Sequence, residues 1–147
     1  MKLLIDADAC PVVNIAIDIC RKYHIPCTLL CDTAHILHRD GASTLIFDKG
    51  ADSVDFALVN RVDPGDIVIT QDYGLASMCL AKKAHILHQD GWAYTQDNID
   101  ALLFQRHAAA AYRKSGGRTK GPAKRSHQQD AAFAKALETL IQQSVQG

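Results

Sequence analysis

Residues 65–76 read GDIVITQDYGLA, and this stretch decides the fold. Ile67-Val68-Ile69 runs into Thr70 with no polar alternation, the pattern of a strand buried on both faces. A Pro64-Gly65 turn precedes it, and a helix is expected to follow from Asp72 to about Lys83. The opening Leu3-Leu4-Ile5 has the same form and ends on Asp6. A helix is expected from Pro11, where a missing N–H costs nothing, with Val13, Ala16, Ile17 and Cys20 on one face. Further strands are expected at 26–31, 44–47 and 86–87. Another helix is expected over 52–61, with Asp55 a capping-box-like partner three positions after Asp52. Apolar strands alternating with helices imply an α/β domain of three layers, a mostly parallel sheet of four or five strands covered by helices on both faces.

At 147 residues the chain fits a single domain over 1–147, and 48% apolar with 22% charged residues is the balance of a folded protein, not a disordered one. No apolar run approaches the roughly 18 residues that span a bilayer, and no basic-then-apolar leader opens the chain, so neither membrane insertion nor secretion is expected. The five cysteines form an odd set without framework spacing, which points to a reduced, cytoplasmic setting.

The net charge of zero conceals an asymmetry. Residues 1–100 hold eight Lys and Arg against fourteen Asp (8 − 14 = −6), and residues 101–147 hold eight against Asp130 and Glu138 (8 − 2 = +6). An acidic site beside a basic surface for an anionic partner follows from that division. The boundary falls near Thr95, an expected helix N-cap, separating an α/β core (1–94) from a helical part (95–147) with a basic Gly-rich loop at 115–122, SGGRTKGP. Ile99, Leu102, Leu103, Arg106 and Ala110 share one face of the first helix there. Arg106 on that stripe either lays its stem along apolar surface or partners a carboxylate. Ser126 with Gln129 marks a last helix, whose Phe133, Leu137, Leu140 and Ile141 face one way.

Three acidic points carry the chemistry: Asp6 with Asp8, Asp52 with Asp55, and Asp72. Asp6 and Asp72 each follow an expected parallel strand, and the carboxyl ends of such strands line the ligand crevice of open α/β sheets. Clustered carboxylates need a cation among them, and oxygen-only ligation suits Mg²⁺ or Mn²⁺, ions that promote in-line phosphodiester displacement. Helix capping is the plainer explanation for Asp8, Asp52, Asp55 and Asp72 taken singly. In the basic half, Arg106, Arg113, Lys114, Arg118, Lys120, Lys124 and Arg125 suit phosphate contact, with nucleic acid the leading partner.

Two other motifs point elsewhere. Cys27 and Cys31 on one strand stand roughly 13 Å apart, too far to share a zinc ion with His35 and His38. Cys10 near a helix start is expected to pack or cap rather than react. The string HILHRDG (35–41) recurs as HILHQDG (85–91), and both copies are expected to run from a strand into an Asp-Gly turn.

IDADACP (5–11), GADSVDFAL (50–58), GDIVITQDYGLA and RTKGP (118–122) resemble, in order and spacing, the YaiI/YqxD family of bacterial proteins. That family looks like a compact relative of the PIN domain, a metal-dependent nuclease fold. The resemblance implies a Rossmann-like PIN fold and divalent-metal-dependent hydrolysis of nucleic acid, RNA more than DNA. Asp6, Asp55 and Asp72 would be the metal and catalytic acids, with Asp8, from the family's own motif, also catalytic. Asp8 and Asp52 would be further ligands, and Thr70 would support Asp72 or the metal shell. Arg106, Arg113, Arg118 and Lys120 would hold phosphates. Asp90 and Asp97 are candidates for a further downstream acid, and the early helical acid of many PIN domains has no evident counterpart. The alternatives are a non-catalytic nucleic-acid-binding protein of the same fold and a HAD-like phosphatase, suggested by two Asp residues two apart after a strand. A homodimer is one assembly that the resemblance allows.

Overall fold

The structure, a computed structural model, describes residues 1–50, 53–117 and 124–146. In chain order the elements are β1 (Leu3–Asp6), α1 (Val13–Lys22), β2 (Cys27–Asp32), β3 (Ser43–Phe47), α2 (Ser53–Arg61), β4 (Ile67–Ile69), α3 (Tyr73–Ala81), β5 (His85–Leu87), α4 (Gln96–Lys114) and α5 (His127–Gln146). The strands form one sheet in the order β3-β2-β1-β4-β5, and every neighbouring pair is parallel. The chain builds outward from β1 to β3 and then returns to lay β4 against the other side of β1. That reversal makes the β1/β4 boundary the switch point of a Rossmann-like sheet.

Side-chain alternation along the strands divides the core into two halves. Leu3, Ile5, Leu29, Cys31, Ile67, Ile69 and Leu87 face α1 and α5. Leu4, Leu30, Val68 and Ile86 face the other way, into the layer of α2, α3 and α4. This is the expected three-layer architecture. The α1 stripe of Val13, Ala16, Ile17 and Cys20 is fully engaged. So is the last helix, where Phe133, Leu137 and Ile141 are completely buried and Ser126 and Gln129 exchange capping hydrogen bonds. Among the described residues no helix is long and apolar enough to cross a membrane.

Several expectations need correction. Helix α1 begins at Val13 rather than Pro11, and its N-cap Val12 has no side-chain hydrogen bond, so Asp8 does not cap it. The stripe on α4 is only partly used: Ile99 is buried, Leu102 and Leu103 are half-buried, and Arg106 is exposed. Residues 104–108 of α4 are exposed among the described residues, and Ala109 and Ala110 are half-buried. The first histidine string is no strand: residues 33–42 are irregular and carry the chain from β2 to β3, with Leu37 packed on the core. Only the second copy is a strand entering a turn.

That second turn is clamped by Arg125, whose guanidinium donates to Asp90 Oδ1, Asp130 Oδ1 and the Gln89 carbonyl, each at 2.7 Å. Arg125 is therefore a structural clasp on the start of α5, its guanidinium already engaged by two carboxylates and a carbonyl. Gly91, inside the clasp, has φ +93, and a Cβ there would lie 2.7 Å from the Ala132 backbone. Gly65 has φ +87 with open space around it. Gly65→Ala is expected to cost about 1–2 kcal/mol, the left-handed strain alone. Gly91→Ala is expected to cost at least about twice that, because α5 must also shift. Urea denaturation midpoints of the two variants check the ordering.

Candidate functional site

The switch point places the ends of β1 and β4 side by side, with Ile5 registered against Ile69. The next residue on each strand turns a polar group toward the sheet's upper edge. Thr70 Oγ1 donates to Asp6 Oδ2 at 3.0 Å and accepts from the Asp72 backbone N–H at 3.0 Å. One hydroxyl thus joins the two chain ends. Behind it, Tyr94 Oη donates to the Thr70 carbonyl at 3.3 Å. Burial holds that phenol well above its usual titration range.

Asp72 is the N-cap of α3. Its Oδ1 accepts from the backbone N–H groups of Gly74 (2.8 Å) and Leu75 (3.1 Å). The capping explanation is therefore correct for Asp72, and it fixes the carboxylate at the cleft wall. Arg106 Nη1 reaches the same oxygen at 3.4 Å. The odd arginine of the α4 stripe is a carboxylate partner, though an exposed one. Asp55, in the first turn of α2, closes the opposite wall.

Together these elements enclose a cleft of about 400 Å³ lined by Asp6, Asp8, Asp55 and Asp72, with Ser53, Gln71, Tyr73 and Arg106. It also contains Asp32, which the sequence reading missed. Asp32 ends β2 as Asp6 ends β1, so the rule that singled out Asp6 would have found it. Its carboxylate accepts from the Ala34 N–H at 2.9 Å and lies 3.0 Å from His35 Nδ1, which is 3.6 Å from Asp8 Oδ1.

Asp6 feels the crowding most. Burial first, and then the charges of Asp55, Asp72 and Asp8, push its carboxyl up to about 6, against the opposing effect of the Thr70 hydrogen bond. The carboxylate oxygens of the cleft are the donor chemistry that Mg²⁺ or Mn²⁺ takes, beside Gln71 and Arg106 in the same lining. The convergence is looser: among the described residues no group of three or more His, Cys, Asp or Glu side chains could hold a metal ion together. Mg²⁺ is commonly bound through one or two carboxylates, several waters and substrate phosphate, and that mode is the one this cleft suits.

The remaining candidates separate clearly. Asp52, Arg118 and Lys120 lie outside the described residues, as does most of the 115–122 loop. Arg113 stands seven residues beyond Arg106 on α4, on the same helix face about two turns away. Asp90 is committed to Arg125, and Asp97 is exposed in the first turn of α4, so neither lines the cleft. Cys27 and Cys31 are buried in β2 while His35 and His38 are exposed, so no zinc set assembles. Burial pushes the Cys10 thiol up to about 11, in keeping with packing rather than reactivity.

Residues 4–143 match the family described as Uncharacterized BCR, YaiI/YqxD family. The chain is similar to UPF0178 proteins of Exiguobacterium sibiricum (51% identity, 96% of each chain) and Ruminiclostridium cellulolyticum (50% identity, 100% of this chain and 96% of the relative). It is 48% identical to that of Clostridium acetobutylicum, over 96% of this chain and 97% of the relative. No solved structure matches the chain.

The raised Asp6 carboxyl has a thermodynamic consequence with a definite sign. Between about pH 4 and 6 the folded protein keeps a proton that the unfolded chain has lost, so Asp6's contribution to stability falls as pH rises through that window. Asp6→Asn is expected to gain stability relative to wild type over this range, by on the order of 2 kcal/mol, and to show no further relative change above it. Chemical denaturation of both proteins at several pH values measures the difference. A difference independent of pH would contradict the assignment.

Proposed function

The chain belongs to the YaiI/YqxD family, and from that premise and the acidic cleft we propose a divalent-metal-dependent nuclease that hydrolyses phosphodiester bonds, RNA above DNA. The observation that carries this reading is the crowding of half-buried Asp6 by Asp8, Asp55 and Asp72 at the sheet's switch point, in a cleft where Arg106 is the one arginine among the described lining residues. Such a site is completed by a cation. The PIN-like resemblance of the motifs supports the same reading, as does the chain's basic C-terminal third.

One or two of Asp6, Asp55 and Asp72 would hold Mg²⁺ or Mn²⁺ with waters completing the shell, and the remaining acids, with Asp8 and Asp52, would orient those waters. When bound, such an ion polarises a phosphoryl oxygen and acidifies water. The chain's own residues do the positioning. Thr70 aims Asp6 by donating to one of its oxygens, and the α3 N-terminus holds Asp72 through two backbone N–H groups. Arg106 at the cleft and Arg113 along the same face of α4 would contact phosphates, and Arg118 and Lys120 are proposed to do the same. The five thiols, four of them buried, suit the reducing cytoplasm in which such an enzyme would work.

A non-catalytic nucleic-acid-binding protein is the second reading, favoured by Arg106, which already places a positive charge beside Asp72. The phosphatase reading finds less support, since no lysine lines the cleft among the described residues. Asp66 sits at the opposite end of β4, where Lys2 binds it.

Calorimetric titration with Mn²⁺ and a cleavage assay on single-stranded RNA test the proposal together. Wild type is expected to take up Mn²⁺ and to cut RNA only with the metal present. Asp6→Asn/Asp72→Asn should lose at least about a hundredfold in rate, while Asn at position 72 preserves the helix cap. Undiminished cleavage by the double variant would refute the nuclease assignment. Salt-sensitive RNA binding without metal-dependent product would establish the binding-protein reading instead.

A further inference from the structure

The sheet has two edges, and the chain treats them differently. Outside β5, residues 92–94 run back antiparallel: Leu87 bridges Ala93, and the Tyr94 N–H donates to the Ile86 carbonyl at 2.9 Å. Outside β3 no such cover stands among the described residues. The Thr33 N–H donates to the Phe47 carbonyl at 3.0 Å, so the backbone groups of Ser43, Leu45 and Phe47 serve the ladder with β2. Alternation turns the N–H and C=O groups of Thr44 and Ile46 outward, and among the described residues nothing bonds to them. The Ile46 side chain beside them is 41% exposed. Open edges are ordinarily blunted by a lysine, a proline or a bulge. Ser43–Phe47 (STLIF) contains none, and its register with β2 is unbroken.

We propose that the outer edge of β3 pairs antiparallel with β3 of a second copy of this chain, across a twofold axis at Leu45, joining two sheets into one. This goes beyond the nuclease reading and does not depend on it. In that register Thr44 lies opposite Ile46 of the second copy, and Ile46 opposite its Thr44. Each pair exchanges two main-chain hydrogen bonds, which satisfies all four outward groups of each chain. Charge selects both the second copy and the register. Arg21, on α1, lies over Gly41, whose φ is +86, and its guanidinium occupies the place that a Cβ would take. Arg21 is exposed and has no ion pair among the described residues, and the same holds for Asp48. The twofold sets the second copy's Asp48 opposite Ala42, one residue from Gly41. Ala42 packs on the α1 side of the sheet, so Asp48 arrives on the side where Arg21 waits. Symmetry repeats the pair at the other end of the strands. A register centred on Thr44 would set Asp40 against Asp48, and like charges directly opposite repel. One centred on Ile46 would set Asp48 against Thr44, away from Arg21.

Sedimentation equilibrium of the full chain from about 1 to 200 μM tests this, with circular dichroism to confirm that each variant is folded. Wild type should pass from monomer to dimer with a Kd on the order of 10 μM, the strength of a small, largely main-chain interface. Ile46→Lys places a charge on an exposed edge position and should stay monomeric throughout. Arg21→Asp and Asp48→Arg should each weaken the dimer about tenfold or more. The double variant Arg21→Asp/Asp48→Arg should recover most of that loss, which a merely destabilising pair of substitutions would not do. Wild type monomeric across the whole range would overturn the proposal. So would a dimer that survives Ile46→Lys, or a double variant no stronger than either single one. Association past the dimer would also overturn it, because pairing leaves no β3 edge open.

Discussion

The hydrogen bond from Thr70 to Asp6 is the joint on which the upper edge of this molecule depends. It spans two strands whose ends are distant in sequence and adjacent only because the chain reverses direction around β1. The same hydroxyl accepts from the Asp72 backbone, so one small side chain sets the start of α3 relative to the end of β1. Thr70 is almost fully buried, and Tyr94 braces its carbonyl from behind. This hydroxyl commits its one proton and accepts a second bond, and losing it would leave Asp6 with one hydrogen bond fewer in a site that already penalises its charge.

Charge is distributed unevenly around that joint. At the lower edge, Asp66 is buried but held by Lys2 and by the backbone N–H groups of Lys2 and Asp63. Those hydrogen bonds keep its carboxyl below the usual range despite burial. Asp90, at the side, is met by Arg125. Asp6 instead has three carboxylates for neighbours, and its carboxyl moves the other way. Asp66 is buried and Asp6 half-buried, both beside strand ends, and what separates them is the partner each has been given. Paired carboxylates tie elements together, whereas the crowding around Asp6 is the ground on which the proposed function rests.

Much of this was legible from local pattern. Apolar runs marked the strands, spacing marked the buried faces of α1 and α5, and Thr95 and Ser126 marked helix starts through their capping chemistry. The acids at strand ends could be named as a site once a parallel sheet was inferred. Other features were not legible, for identifiable reasons. HILHRDG and HILHQDG are nearly the same string, yet one bridges two strands as a loop and the other pairs with β4. Arg125 looked like one more cation in a basic run until Asp90 arrived from thirty-five residues away. The α4 stripe predicted burial, but periodicity says only which face is apolar, not how far along the helix a neighbour extends.

By itself, then, the sequence determined the kind and order of the elements, the apolar faces that would be covered, and the acids that would stand at strand ends. These depend on residues within a few positions of one another, through propensity, periodicity and capping. Only the tertiary structure decided that β4 lies beside β1, that Asp32 joins the cleft, and that Arg106 meets Asp72. Strand order and the meeting of remote side chains follow from how the layers close over the whole sheet, and no local stretch of chain encodes that closure.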